Sequence, residues 1–118
     1  MDGFYAAYLT GRAGNTVVLL AIKSGSLVGA AAGGLKYDGT VEPRTDGGFN
    51  FHVKYVIQPG TPLITGVGSV AIPTPVSLDF TVPADFASGT ILTIHTPFGP
   101  INAKMSKLRD FDFSAPQS

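Results

Sequence analysis

The sequence predicts an all-β protein: about eight antiparallel strands in meander order that close into a small barrel, with one or two short helical turns. Three observations carry this expectation. Apolar residues recur with period two in several separate segments, and a strand sends successive side chains to opposite faces. Turn residues punctuate the chain so that strands recur at the roughly 8–12-residue spacing of a sandwich or barrel. No segment carries the 3.6-residue period of a full amphipathic helix. Nearly every connection is short, and eight meandering strands with one hydrophobic side most economically close on themselves. Such a barrel has room for its own side chains or one small ligand.

The elements follow in order. Phe4 to Leu9 is aromatic and apolar on both parities, and Thr16 to Ile22 is a β-branched apolar run expected to be a strand covered on both faces. Gly11–Asn15 separates them, and Lys23-Ser24-Gly25-Ser26 predicts a tight hairpin with Gly25 at positive φ. Leu27 to Gly34 has helix-favouring alanines but too many glycines, so it reads as a strand whose small residues permit close approach or sharp curvature. Leu35, Tyr37 and Val41 alternate with Lys36, Asp38 and Thr40, and Asp46-Gly47 predicts a type I′ turn.

The second half alternates more cleanly. Phe49, Phe51, Val53, Tyr55 and Ile57 oppose Asn50, His52 and Lys54, with Val56 the exception. Gln58 to Pro75 is a proline- and glycine-rich crossing, with a short helical turn near Thr61–Thr65 and an edge strand at Val70–Ile72 expected within it. Leu78, Phe80 and Val82 oppose Ser77, Asp79 and Thr81. Pro83–Gly89 reads as one helical turn, with proline at its start and glycine after its end. Leu92 and Ile94 oppose Thr93 and His95, with Ile91 pointing outward or marking the strand start, and Phe98-Gly99-Pro100 punctuates the last hairpin. Ile101, Ala103 and Met105 oppose Asn102, Lys104 and Ser106, and Leu108 breaks the parity, which predicts a bulge near Lys107.

The 118 residues suit one domain, expected over 1–113, with a small polar tail at 114–118. Eight basic residues balance eight acidic ones, which argues against general nucleic-acid binding. The absence of cysteine excludes a disulfide scaffold and thiolate metal sites. The apolar run Phe4–Leu9 is too short for a secretory signal, and Val17–Ile22 is far below the roughly 20 residues that span a bilayer. The expectation is a soluble, cytoplasmic protein without membrane contact.

The first half carries a family resemblance. Gly3-Phe4-Tyr5, Val17-Val18-Leu19-Leu20, Gly25-Ser26-Leu27-Val28-Gly29, Gly33-Gly34 and Tyr37-Asp38-Gly39-Thr40 follow in that order. This order resembles the GrlR-like family, named for a negative regulator of type III secretion in enteric bacteria. The second half is similar in layout, with Val82-Pro83 and Phe86 where that family has a short proline-initiated turn. The resemblance spans about residues 3–108 and rests on glycines and tyrosines at turn-compatible spacing. It implies a small lipocalin-like barrel, a homodimer, no catalytic activity, and a regulatory role exerted by binding a transcriptional activator protein. The family's regulator binds its partner through an acidic run in the loop after the Tyr-x-Gly strand. Here that region reads Glu42-Pro43-Arg44-Thr45-Asp46, so the partner does not carry over. Glu42, Arg44 and Asp46 remain the candidate partner-contact residues.

No constellation for catalysis, cofactor or metal stands out. His52 and His95, the only histidines, fall on the polar parity of their strands with Asp79, and zinc wants three or four ligands. Ser77, His95 and Asp79 assemble a triad on paper, but Gly66-Val67-Gly68-Ser69 lacks the second glycine of a nucleophile elbow. Gly66–Ala71 matches Gly-x-Gly-x-x-Ala, yet Pro73 and Pro75 forbid the helix that a dinucleotide site needs. Lys104, Lys107 and Arg109 form a small basic cluster answered by Asp110 and Asp112. The aromatics are expected to form core or to line an apolar pocket, with Tyr5, Tyr37, Phe49, Phe51, Tyr55 and Phe80 as pocket candidates and Asp38 as a polar group near its mouth. The leading expectation is a non-enzymatic binding or regulatory module that acts through a protein partner or a small apolar ligand. The alternative is a small barrel enzyme, an isomerase or hydrolase, which would need His52, His95 or Asp79 to point inward beside a cavity.

Overall fold

The computed structural model describes residues 1–32, 34–61, 63–66 and 68–111. It is the predicted all-β fold, with eight antiparallel strands in a nearly closed barrel. The strands are β1 (Gly3–Gly11), β2 (Gly14–Lys23), β3 (Ser26–Ala31), β4 (Lys36–Pro43), β5 (Phe49–Ile57), β6 (Thr74–Val82), β7 (Ser88–Thr96) and β8 (Gly99–Arg109). Their order in the sheet is β6-β5-β4-β3-β2-β1-β8-β7, so β1 and β8 close the meander while β6 and β7 are left unpaired with each other. No helix among the described residues is long and apolar enough to cross a membrane. The expected tail at 114–118 lies outside the described residues.

One side-chain parity fills the barrel. Ile22, Leu27, Phe51 and Ile57 are essentially inaccessible, and Val18, Val41, Val76, Val82, Ile94, Ala103 and Met105 join them in one core. Among the described residues no polar or charged residue is fully buried. The sheet must coil tightly to close, and glycine supplies the room. A side chain at the inward-facing Gly39 would put its Cβ 2.0 Å from the His52 carbonyl oxygen on the next strand. At Gly29 a Cβ would lie 2.6 Å from a methyl of Leu20. Curvature of this kind is what inward glycines permit.

Hairpin chemistry accounts for the register. Ser24 and Gly25 both have positive φ, 52° and 82°, as a type I′ turn demands. The Asp46-Gly47 turn differs from expectation, because Gly47 alone has positive φ. Gly47 N–H donates to the Arg44 carbonyl and Arg44 N–H to the Gly48 carbonyl, which makes a longer loop closed by a left-handed glycine. The β1–β8 register shifts between Phe4, opposite Arg109, and Tyr5, opposite Lys107, so Leu108 is the extra residue of the expected bulge.

The two barrel ends are closed differently. The crossing between β5 and β6 packs on the β1–β2 hairpin, where Ala13 N–H donates to the Ile64 carbonyl at 2.7 Å. Leu63 and Ile64 cover the core there. Among its described residues the crossing contains neither the helical turn nor the edge strand expected of it. Leu63–Gly66 is a reverse turn, Pro62 lies outside the described residues, and Val70–Ile72 is irregular. At the opposite end the Pro83–Gly89 segment is likewise a hydrogen-bonded turn rather than a helix, with Phe86 N–H donating to the Pro83 carbonyl. Its Phe86 is buried between Tyr5, Phe49 and Phe51, with ring centroids 5.6–5.7 Å away, and plugs the barrel.

Candidate functional site

Three concave or apolar surfaces stand out, and the strand register builds each of them. The first is a chamber inside the barrel of about 80 Å³, lined by Leu27, Tyr37, Phe51, Tyr55, Phe80 and Ile94 among others. Tyr37 and Tyr55 sit directly opposite each other on β4 and β5, with ring centroids 5.0 Å apart. Burial pushes the Tyr37 phenol up to about 12, with a smaller contribution from its neighbour Tyr55. Burial raises Tyr55 as well. Among the described residues neither hydroxyl has a hydrogen-bond partner. Phe51 and Phe80 stack at 5.2 Å, 19° from parallel.

Of the pocket candidates, Tyr37, Phe51, Tyr55 and Phe80 are brought together around this chamber. Tyr5 and Phe49 lie at the plugged end against Phe86 instead. The Tyr5 phenol donates to the Met1 carbonyl, and burial raises its pKa against the opposing pull of Lys107. Asp38 stands exposed on the outer face opposite Lys54, away from the chamber, because its parity on β4 is that of Lys36 and Thr40. It borders the second surface, an open groove of about 850 Å³ that also runs past Lys36, Lys54, Val56, Gln58 and Ser77.

The third surface is the outer face of β1, β2 and β3. Cross-strand pairing sets Tyr8 beside Val17, Leu19 beside Ala30, and Ala21 between Phe4 and Val28. Leu108 of the bulge adds to the edge of this face. Leu19 is 57% exposed, Val28 54% and Tyr8 49%, and a shallow groove of about 680 Å³ runs past Phe4, Leu19, Ala21, Val28 and Leu108. The expectation that β2 is covered on both faces is therefore corrected. All eight strands are consumed in a single, nearly closed layer, and within the described chain nothing is left to lie over Val17 and Leu19. The apolar residues of β2 lie on both parities, and in the sequence alone the outer ones look like core. The signal for an exposed face was the fold itself, since a one-layer barrel has only one inside.

The charged candidates lie on the surface. Arg44 Nε is 3.2 Å from the Asp46 carboxylate, and Arg44 also donates to Asn50 at 3.0 Å. Asp46 accepts the Gly48 N–H at 2.9 Å, which with Arg44 holds its carboxyl below the usual range. Glu42 is exposed on the same end of β4. Arg44 and Asp46 thus tie up their own turn. Lys107 pairs with Asp110, which raises the ammonium pKa. Asp112 lies outside the described residues.

His52, Asp79 and His95 all face outward. His52 Nδ1 lies 2.6 Å from an Asp79 carboxylate oxygen, across the β5–β6 pair. His95 stands on β7 opposite Pro100 and does not join them. Among the described residues no three His, Asp or Glu side chains gather into a metal-binding group. No family model, no curated protein and no solved structure matches this chain.

Proposed function

We infer that this chain is a non-enzymatic binding module whose working surface is the outer apolar face of β1–β3, and that the surface pairs with a second copy of the chain. One observation carries the reading: Tyr8, Val17, Leu19 and Val28 form a contiguous, exposed, apolar patch. Soluble monomers rarely expose contiguous apolar patches beyond a few hundred Å² unless the patch binds something. Water released from such a face favours association. The second copy is the economical occupant because the patch is centred on β2, with apolar neighbours on both sides. A twofold axis along β2 sets Leu19 of one copy against Leu19 of the other and makes the patch its own complement.

The resemblance to the GrlR-like family supports a regulatory use of such a dimer, since that family is expected to be a small barrel that pairs and binds a protein. The absence of cysteine suits a cytoplasmic setting. The interior is the poorer binding surface as it stands, because ligand sites usually enclose about 300–1,000 Å³. Light scattering over a concentration series tests the reading. The mass should rise with concentration towards twice 12.2 kDa. Leu19→Lys should hold the chain as a monomer without altering its circular dichroism. A chain that stays monomeric at every concentration contradicts the pairing.

A further inference from the structure

Seven strand pairs of the barrel are hydrogen-bonded and one is not. The open seam lies between β6 and β7, which are consecutive in sequence and joined by the Pro83–Ala87 turn. The turn sends Phe86 into the barrel as a plug, so β6 and β7 share a fixed hinge at that end. Leu78 and Phe80 of β6 and Ile94 of β7 line the interior chamber, so the unpaired seam forms part of its wall. Moving β6 away from β7 enlarges the chamber without breaking a ladder hydrogen bond. Parting any other two neighbouring strands breaks one of the seven paired ladders.

The lining states what would enter. It is apolar, and no charged side chain among the described residues is buried to balance a ligand charge, so the ligand is uncharged. The Phe51–Phe80 stack and the Tyr37–Tyr55 pair present flat surfaces. The two phenol hydroxyls, unpartnered among the described residues, offer hydrogen bonds to one ligand oxygen or nitrogen. The resting chamber of about 80 Å³ is smaller than the roughly 150 Å³ apolar cavity that holds benzene. An aromatic ligand therefore needs the seam to give.

We propose that the interior chamber, widened at the β6–β7 seam, is a binding site for a small, uncharged, planar aromatic molecule carrying one hydrogen-bonding group. The site is independent of the outer β1–β3 face. Titration of the full-length, isotope-labelled chain with indole, followed by amide NMR and hydrogen exchange, tests it. Indole should shift amides of β6, β7, Tyr37 and Tyr55, while ladder amides of β1–β5 keep their exchange protection. Phe80→Trp, which fills the chamber, should weaken indole binding about tenfold or more, the scale of an overpacked core position. Phe80→Ala, which enlarges it, should strengthen binding and keeps the test decisive if the tryptophan variant does not fold. Leu19→Lys should leave indole binding unchanged. Indole that fails to bind overturns the proposal. So does binding that maps to Leu19 and Val28 and disappears in Leu19→Lys, or binding indifferent to the size of residue 80.

Discussion

The outer face of β1–β3 and the outer face of β4–β6 are built on the same parity but carry opposite chemistry. On the first, Tyr8, Val17, Leu19 and Val28 stand in water. On the second, Asp38 faces Lys54, His52 pairs with Asp79, and Glu42 lies opposite Asn50. The inner faces of the two halves do not differ in this way: Val18, Leu20 and Ile22 on β2 are buried like Phe51, Val53 and Ile57 on β5. Barrel closure depends on the inner rows, so the outer rows are free to record what the molecule meets. The β4–β6 half meets solvent. The β1–β3 half carries an apolar surface that folding of the chain does not require.

Substitutions that separate inner from outer positions sharpen this contrast. The largest effect is expected at the inner Phe51, 1% exposed and in ring contact with both Phe80 and Phe86. Phe51→Ala should cost about 3–5 kcal/mol in denaturant unfolding. Gly39→Ala comes next, at about 1–3 kcal/mol, because the added methyl meets the backbone of His52 where the sheet coils. On the polar outer face, Asp79→Ala removes an exposed hydrogen-bonded contact with His52 and should cost at most about 1 kcal/mol. On the apolar outer face, Leu19→Lys should change monomer stability by no more than about 0.5 kcal/mol while abolishing pairing. An effect of Leu19→Lys on folding as large as that of Phe51→Ala would erase the distinction between the rows.

A further effect is confined to high pH. Folding raises the Tyr37 phenol from 10.0 to about 12, so between those values the unfolded chain has released a proton that the folded chain still holds. Tyr37 thus contributes stability that is fully present below pH 10 and is lost as pH rises towards 12. Tyr37→Phe should flatten that part of the stability curve, and absorbance of the phenolate should report the late ionisation directly.

Local chemistry made much of this fold legible in the sequence. The alternation of β5, β6 and β8, the Ser24-Gly25 hairpin and the Leu108 bulge depend on neighbours in the chain, and the structure has them where the pattern puts them. The seam does not depend on neighbours. Beside it Phe86 turns inward between Tyr5, Phe49 and Phe51, a long-range packing event that no local periodicity encodes. The Asp46-Gly47 turn is not legible in the same way, because the dipeptide fits two turn types and only the φ of Asp46 separates them. The gathering of Tyr37, Phe51, Tyr55 and Phe80 could be anticipated from parity alone, whereas Asp38 lies on the other parity of its own strand. The outer face of β2 was visible as residues but not as surface, since an apolar run on both parities looks the same whether its second face is covered by the chain or by something else.

Whether the β1–β3 outer face joins two copies can be read from intermolecular NOEs in a mixture of isotope-labelled and unlabelled chains at high concentration. Contacts between chains are expected from the methyl groups of Leu19, Val17 and Val28 and from the Tyr8 ring, with none from the β4–β6 face. Intermolecular contacts confined to His52, Lys54 and Asp79, or no contacts from Leu19 in a sample shown to be dimeric, would contradict it.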